Sequence, residues 1–293
     1  VPVVLSEPEW REREHAHLRR VTAWTRPHRE RQRGGRKHPV LDFLFTYYNL
    51  RASRLERWQP GPGVVLRGGE EFLRLRGYET VPDGVALSPA AVTDTRRGTA
   101  EFVLTLQQAI LNRPARLNCF GLHEWAMVYR ATDIRHESWP LRLGSAGTDE
   151  VVEANPVRCS HYDAYRFFTP DARPLNTLAP DKDTRLRNEQ PGCLHANMDL
   201  FKWAGKLEGL LAAELIADCF ELAVAGRELD MRASPYDLAE LGYRPIRIET
   251  PAGRAEYARH QAEYAQRAAP VRRRLADACA ALLDWAEVGS NLS

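Results

Sequence analysis

The segment 120–129 reads FGLHEWAMVY, and it restricts the possible folds more than any other stretch of the 293 residues. Only His123 and Glu124 in it ionise near neutral pH, while everything around them favours burial. A carboxylate taken into an apolar interior must be paired or neutralised, so whatever covers this segment must bring polar partners with it. The same conflict recurs elsewhere. Segment 38–50, HPVLDFLFTYYNL, puts His38, Asp42, Thr46 and Asn49 on one polar line of an otherwise apolar helix. Segment 195–207, HANMDLFKWAGKL, aligns His195, Asp199, Lys202 and Lys206 on one face and Leu194, Met198 and Phe201 on another. Both segments carry His-x-x-x-Asp followed by two bulky apolar residues, a spacing that makes the two side chains neighbours on a helix. Two such short matches are a slender basis for an internal repeat. Further groups are His161 and Asp163 ahead of Tyr165, Phe167 and Phe168; Glu189, six residues before His195; and Asp218 with Glu221, three apart on an apolar helix.

The rest of the chain reads as mainly α, a helical bundle-like core with a small β element and long loops. Hydrophobic residues make up 44% and charged residues 27%, ordinary globular usage, which excludes a disordered tail, a collagen-like fibre and a disulfide scaffold. Helices are expected over 7–33, ended or broken near Pro27, and over 38–50, 95–111, 118–130, 160–168, 193–207, 210–227 and 251–285, the last kinked at Pro270. Val64–Arg67 and Val85–Ser88 are weak candidates for paired strands. A hairpin is expected around Gly144–Gly147, and 169–191 is a Pro- and Asp-rich loop of a length more often functional than not. The division expected is a basic helical arm over 1–37 and a single mostly helical domain over 38–293.

Net charge is only +2, but six cations (Arg26, Arg29, Arg31, Arg33, Arg36, Lys37) face Glu30 alone within 26–37. Such a run suits phosphate contacts, or is simply a solvated arm. Four lysines beside 37 arginines reflect a general bias, so arginine abundance by itself carries no functional message. Cys119, Cys159, Cys193, Cys219 and Cys279 are widely spaced with no CxxC, which fits free thiols in a reducing, cytoplasmic setting. No apolar run approaches a membrane span of roughly 18 residues, and the charged first thirty residues predict no secretory signal.

Four histidines near carboxylates and large aromatics predict a polar pocket in an apolar core. Each has a plainer alternative. His38 could cap its helix, Asp42 could bond a local backbone group or an arginine, Asp218 and Glu221 could be a salt-bridged face, and the aromatics could be core. Two chemistries fit the set. Removing a base from a nucleotide needs an aromatic slot, a carboxylate to activate water or steady an oxocarbenium-like centre, and cations for phosphate. Alternatively, His123, His161, Glu189, His195 and Asp199 converge on iron or manganese and act on a small-molecule substrate. A non-enzymatic protein whose buried polar groups only hold helices in register is the third reading. The phosphate-loop, nucleophile-elbow, dinucleotide and His-Glu-x-x-His signatures are missing.

The segments KHPVLDFLFTYYNLR (37–51), FGLHEWAMVYR (120–130), CSHYDAYRFFTPDARPLNTL (159–178), EQPGCLHANMDLFKWAGKL (189–207) and ADCFELA with LDMRASPYDL (within 217–238) resemble a bacterial family labelled 3-methyladenine DNA glycosylase. The resemblance runs from about Glu9 to about Leu275 and is not to the helix-hairpin-helix type. It implies a base-excising N-glycosylase acting on alkylated purines in DNA, with no cofactor. Glu124 or Asp199 would then be the acid–base carboxylate, beside His123 and His195. Tyr47, Tyr48, Trp125, Tyr165, Phe168 and Trp203 would be base-stacking candidates with Asp42 nearby, and the 26–37 run would contact DNA.

Overall fold

The computed structural model of the chain describes residues 2–131 and 139–290. The described residues are mainly helical, with one small sheet. The helices are α1 (Glu7–Arg33), α2 (Leu41–Tyr47), α3 (Ala52–Leu55), α4 (Asp94–Leu111), α5 (Leu122–Ala126), α6 (Gly144–Ala154), α7 (Tyr162–Tyr165), α8 (Arg185–Asn188), α9 (Leu194–Lys206), α10 (Ala213–Ala233) and α11 (Pro251–Ser290). The strands are β1 (Val3–Leu5), β2 (Val64–Leu66), β3 (Tyr78–Val81) and β4 (Gly84–Leu87). None of the described helices is long and apolar enough to cross a membrane.

The chain divides into two compact units: Val1–Gln108 with Leu200–Glu221 and Val271–Ser293, and Ala109–Asp199 with Leu222–Pro270. The first unit holds the sheet, in the order β1-β2-β4-β3. β2 and β4 pair antiparallel with Val65 opposite Ala86 and Leu66 opposite Val85, within the two segments that are weak candidates for paired strands by sequence. Trp10 of α1 stacks on Trp58 at 6.5 Å and meets Phe72 edge-on at 5.4 Å, while its indole N–H donates to Arg67 O. Helix α1 continues through Pro27 to Arg33 instead of ending there. Pro27 removes one internal hydrogen bond, but Trp10, His17, Val21, Thr25 and His28 bury one side of the helix and hold it. α2 is shorter than 38–50 predicts: His38 Nδ1 accepts from the Val40 and Leu41 N–H groups, and Asn49 adopts φ +52° beyond the helix.

In the second unit, α6 replaces the expected hairpin at Gly144–Gly147. Its glycines suggest a turn, but Thr148, Val151 and Val152 form a buried helical face. α5 is also shorter than expected, because Phe120 (φ +51°) and Gly121 (φ +74°) are left-handed and helical geometry starts only at Leu122. Trp125 is fully buried and its indole N–H donates to Ala233 O at 2.9 Å, which ties α5 to the end of α10.

Candidate metal centre

The second unit gathers most of the ionisable residues that the sequence singled out. His123 and Glu124 come from α5, His195 and Asp199 from α9, and Glu189 from the turn after α8. His161 stands at the N-terminus of α7. All six are buried.

Three residues that the sequence reading passed over complete the cluster. Arg227 and Asp230 sit three apart on α10, 1% and 0% exposed, and Arg185 lies on α8. Their signal was present in the run AGRELDMRA, where an arginine and an aspartate share a helical face with buried neighbours. Glu228 and Arg232 beside them give the stretch the charge density of a solvated face. Asp218 and Glu221, earlier on the same helix, belong to the first unit and form ion pairs with Arg20 at 2.6 and 2.7 Å. Asp218 also pairs with Arg274.

His123 Nε2 lies 2.6 Å from Asp230 Oδ1, and His195 Nε2 lies 3.8 Å from Asp230 Oδ2. Arg227 Nη1 donates to Glu124 Oε1 at 3.0 Å and to Asp230 Oδ2 at 3.1 Å. One ligand atom from each of His123, Glu124, His195 and Asp230 falls within 4.8 Å of all the others. Ions with bonds of about 2.0–2.2 Å place opposite ligands some 4 Å apart, so small side-chain movements bring the four onto one ion. The outer contacts also fit. Arg227 holds Glu124 Oε1 and Asp230 Oδ2, Asp230 Oδ1 faces His123 Nε2, and Cys119 Sγ lies 3.4 Å from His123 Nδ1, where it can take the second ring proton.

A second group, His161, Asp163 and Asp199, meets the same 4.8 Å limit. His161 Nε2 is 3.3 Å from Asp199 and 3.6 Å from Glu189, and Arg185 bridges Asp163 at 2.7 Å and Glu189 at 3.0 Å. Here the fit is poorer. His161 Nδ1 accepts the Ala164 N–H at 3.2 Å, so in the neutral ring the proton sits on Nε2, the atom that would have to ligate. The rings of His123 and His195 are 4.4 Å apart and those of His195 and His161 5.4 Å, so the two groups are continuous.

Burial sets the electrostatics. It lowers the pKa of His195 to about 3, helped by His123, so that ring stays neutral. Burial also works against charge on His123, but Asp230 outweighs it and raises its pKa well above the usual range. Burial raises the Glu124 pKa against the opposing pull of Arg227.

A cavity of about 180 Å³ opens beside the cluster, with His123, His195, Cys119, Cys159, Cys193 and Tyr257 among its wall residues. These three thiols come from three separate loops, so no spacing along the chain brings them together. Cys119, His123 and Asp230 also form a thiol–imidazole–carboxylate line ending at the cavity, an arrangement able to activate a sulfur nucleophile.

The proposed stacking aromatics lie elsewhere. Tyr47, Tyr48 and Trp203 belong to the first unit: Tyr47 stacks on Phe43 at 4.9 Å, Tyr48 meets Phe201 at 5.5 Å, and Trp203 tilts against Phe102 at 5.3 Å. Trp125 and Phe168 are buried in the second unit, and Tyr165 packs on Phe168 at 5.2 Å. The aromatic ring in the cavity wall is Tyr257. Asp42 is in the first unit, held by His28 at 2.8 Å and Arg31 at 2.6 Å. Of the 26–37 cations, Arg29 pairs with Glu56 and Arg31 with Asp42, whereas Arg26, Arg33, Arg36 and Lys37 are exposed. Compared with protein-family models, curated proteins and solved structures, the chain matches none.

Proposed function

We propose that the protein is a metal-dependent enzyme of the non-haem iron or manganese type, acting on a small molecule in the cavity beside His123 and His195. The observation that carries this is the buried set His123, Glu124, His195 and Asp230, with ligand atoms within 4.8 Å and Arg227 holding one oxygen of each carboxylate. Mixed imidazole and carboxylate donors suit iron and manganese. Such an ion supplies Lewis-acid or redox chemistry when bound. The chain's own residues do the rest. Arg227 orients both carboxylates, and the neutral His195 ring offers a lone pair. With His123 and Glu124 giving up their protons to the ion, two carboxylates, one guanidinium and a divalent ion would together carry a single positive charge, which draws an anionic substrate.

Elemental analysis of freshly purified protein should find near-stoichiometric iron or manganese. The content should fall at least tenfold in His195→Gln and Asp230→Asn variants that keep their helical circular dichroism. Metal-free protein with full activity would sink the reading.

Base excision is the second reading. It is favoured by the resemblance and by Glu124, a buried carboxyl whose raised pKa suits a general acid and whose chain neighbour His123 lines the cavity. Free base released from alkylated DNA by chelator-treated protein, and lost in Glu124→Gln or Asp199→Asn, would put it first. The exposed cations of 26–37 would then serve DNA phosphates.

A further inference from the structure

The cavity wall holds two arginines that the proposed metal centre does not use. Arg116 and Arg158 are exposed, and neither is in an ion pair among the described residues. Their backbones are held by hydrogen bonds at or next to each residue. Buried Gln190 accepts the Arg116 N–H at 2.8 Å and the Gly192 N–H at 2.7 Å through one oxygen, and returns a bond to Arg116 O at 3.1 Å. The close pass needs a glycine: a Cβ on Gly192 would stand 2.6 Å from Arg116 O. Arg158 lies between buried Val157 and Cys159. Asn176 bonds both the N–H and the C=O of Cys159, at 2.7 and 2.9 Å, and Thr177 N–H donates to Val157 O at 3.0 Å. Arg116 and Arg158 thus border one hollow from backbone that these bonds hold.

Deeper in, two groups of α11 share a face one helical turn apart. Tyr257 is fully buried, and its hydroxyl has no hydrogen-bond partner. Gln261 is 1% exposed; its Nε2 donates to Gly192 O at 2.6 Å, which fixes the amide and leaves Oε1 without a partner. Both residues line the cavity. Buried polar atoms of this kind are costly unless something completes them. Oε1 accepts only, so its partner must bring an N–H or O–H.

We propose that this cavity binds a small organic acid bearing an amino or hydroxyl group, its carboxylate held by Arg116 and Arg158 and its N–H or O–H by Gln261 Oε1. Tyr257 O–H is placed to donate to a further oxygen of the same molecule. Planar guanidiniums suit a carboxylate because they bind both of its oxygens together. The volume, at least about six waters at ~30 Å³ each, fits a molecule of a few carbons. The inference deepens the enzyme reading by naming its substrate class, and it rests on that reading only for what happens to the acid after binding.

The test is titration of the full chain with L-lactate, L-alanine and propionate, followed by ligand-detected NMR, on metal-loaded and on chelator-stripped protein. Lactate and alanine should bind at least tenfold more tightly than propionate, which lacks the donor. Arg116→Ala and Arg158→Ala should each weaken all three acids by about tenfold with metal content unchanged. Gln261→Leu should remove the preference over propionate while propionate itself binds as before. Acid binding that is undiminished in the Arg116→Ala/Arg158→Ala double variant, or absent in both metal states, overturns the proposal. Binding that persists in protein never found to contain metal would instead overturn the metal centre and leave the acid site standing.

Discussion

At the scale of single residues, Arg227 and Cys119 make opposite predictions. Arg227 is 1% exposed and touches two buried carboxylates, so removing its charge strands both. Arg227→Met should lower the stability of metal-free protein by about 3–5 kcal/mol, read as a shift in urea midpoint at unchanged slope. A loss below about 1 kcal/mol would mean that the carboxylates are neutralised otherwise. If Cys119 only takes the His123 ring proton, Cys119→Ser should keep metal affinity close to that of the parent, and Cys119→Ala should weaken it by about tenfold. Loss of activity in both, with metal retained, would point to a sulfur nucleophile. Asp42 gives a pH signature. Burial raises its pKa, but Arg31 and His28 outweigh burial and hold it below the ordinary carboxylate range. A depressed folded pKa contributes stability that is full above the unfolded value of about 3.9 and fades as pH falls through the folded one. The thermal midpoint should therefore drop between about pH 5 and pH 3 more steeply than in Asp42→Asn; parallel curves would refute this.

At the scale of elements, two glycines in helices separate packing from propensity. A Cβ on Gly226 of α10 would press on the Tyr264 hydroxyl and stand 2.6 Å from Met198 Cγ, whereas Gly98 of α4 is exposed with nothing within 4 Å. Gly98→Ala should stabilise by about 0.5–1 kcal/mol and Gly226→Ala should destabilise despite the same propensity gain, both by chemical denaturation. Elements with an unbroken apolar period, such as α4, α9 and α11, were legible in the sequence within a few residues, as was the pairing of β2 with β4. α6 was not, because its glycines obscured the spacing of Thr148, Val151 and Val152. Within the cluster, His123 and Glu124 stood out because everything around them is apolar. Arg227 and Asp230 did not, since a charged residue in a charged run reveals burial only once its packing partners are known. None of the candidate stacking aromatics is among the residues lining the cavity, for the converse reason: large rings fill cores far more often than they line slots.

At the scale of the whole molecule, a ligand that binds only the folded chain should stabilise it according to its concentration, by about 2.7 kcal/mol at a hundredfold excess over Kd. Adding Mn²⁺ to chelator-treated protein should slow amide exchange in α5, α9 and α10 around His123, His195 and Asp230, and leave the β-sheet unchanged. Uniform slowing, or none, would count against a centre at these residues. The sheet has its own exposure. β1 is an edge strand of three residues paired parallel to β2, and Val3 is 57% exposed. Trimming the chain back to Ser6 would strip that cover and bare the hydrogen-bonding edge of Val64–Leu66. The shortened protein would keep its chemistry but become self-adhesive, its solubility limited by strand-to-strand association between molecules.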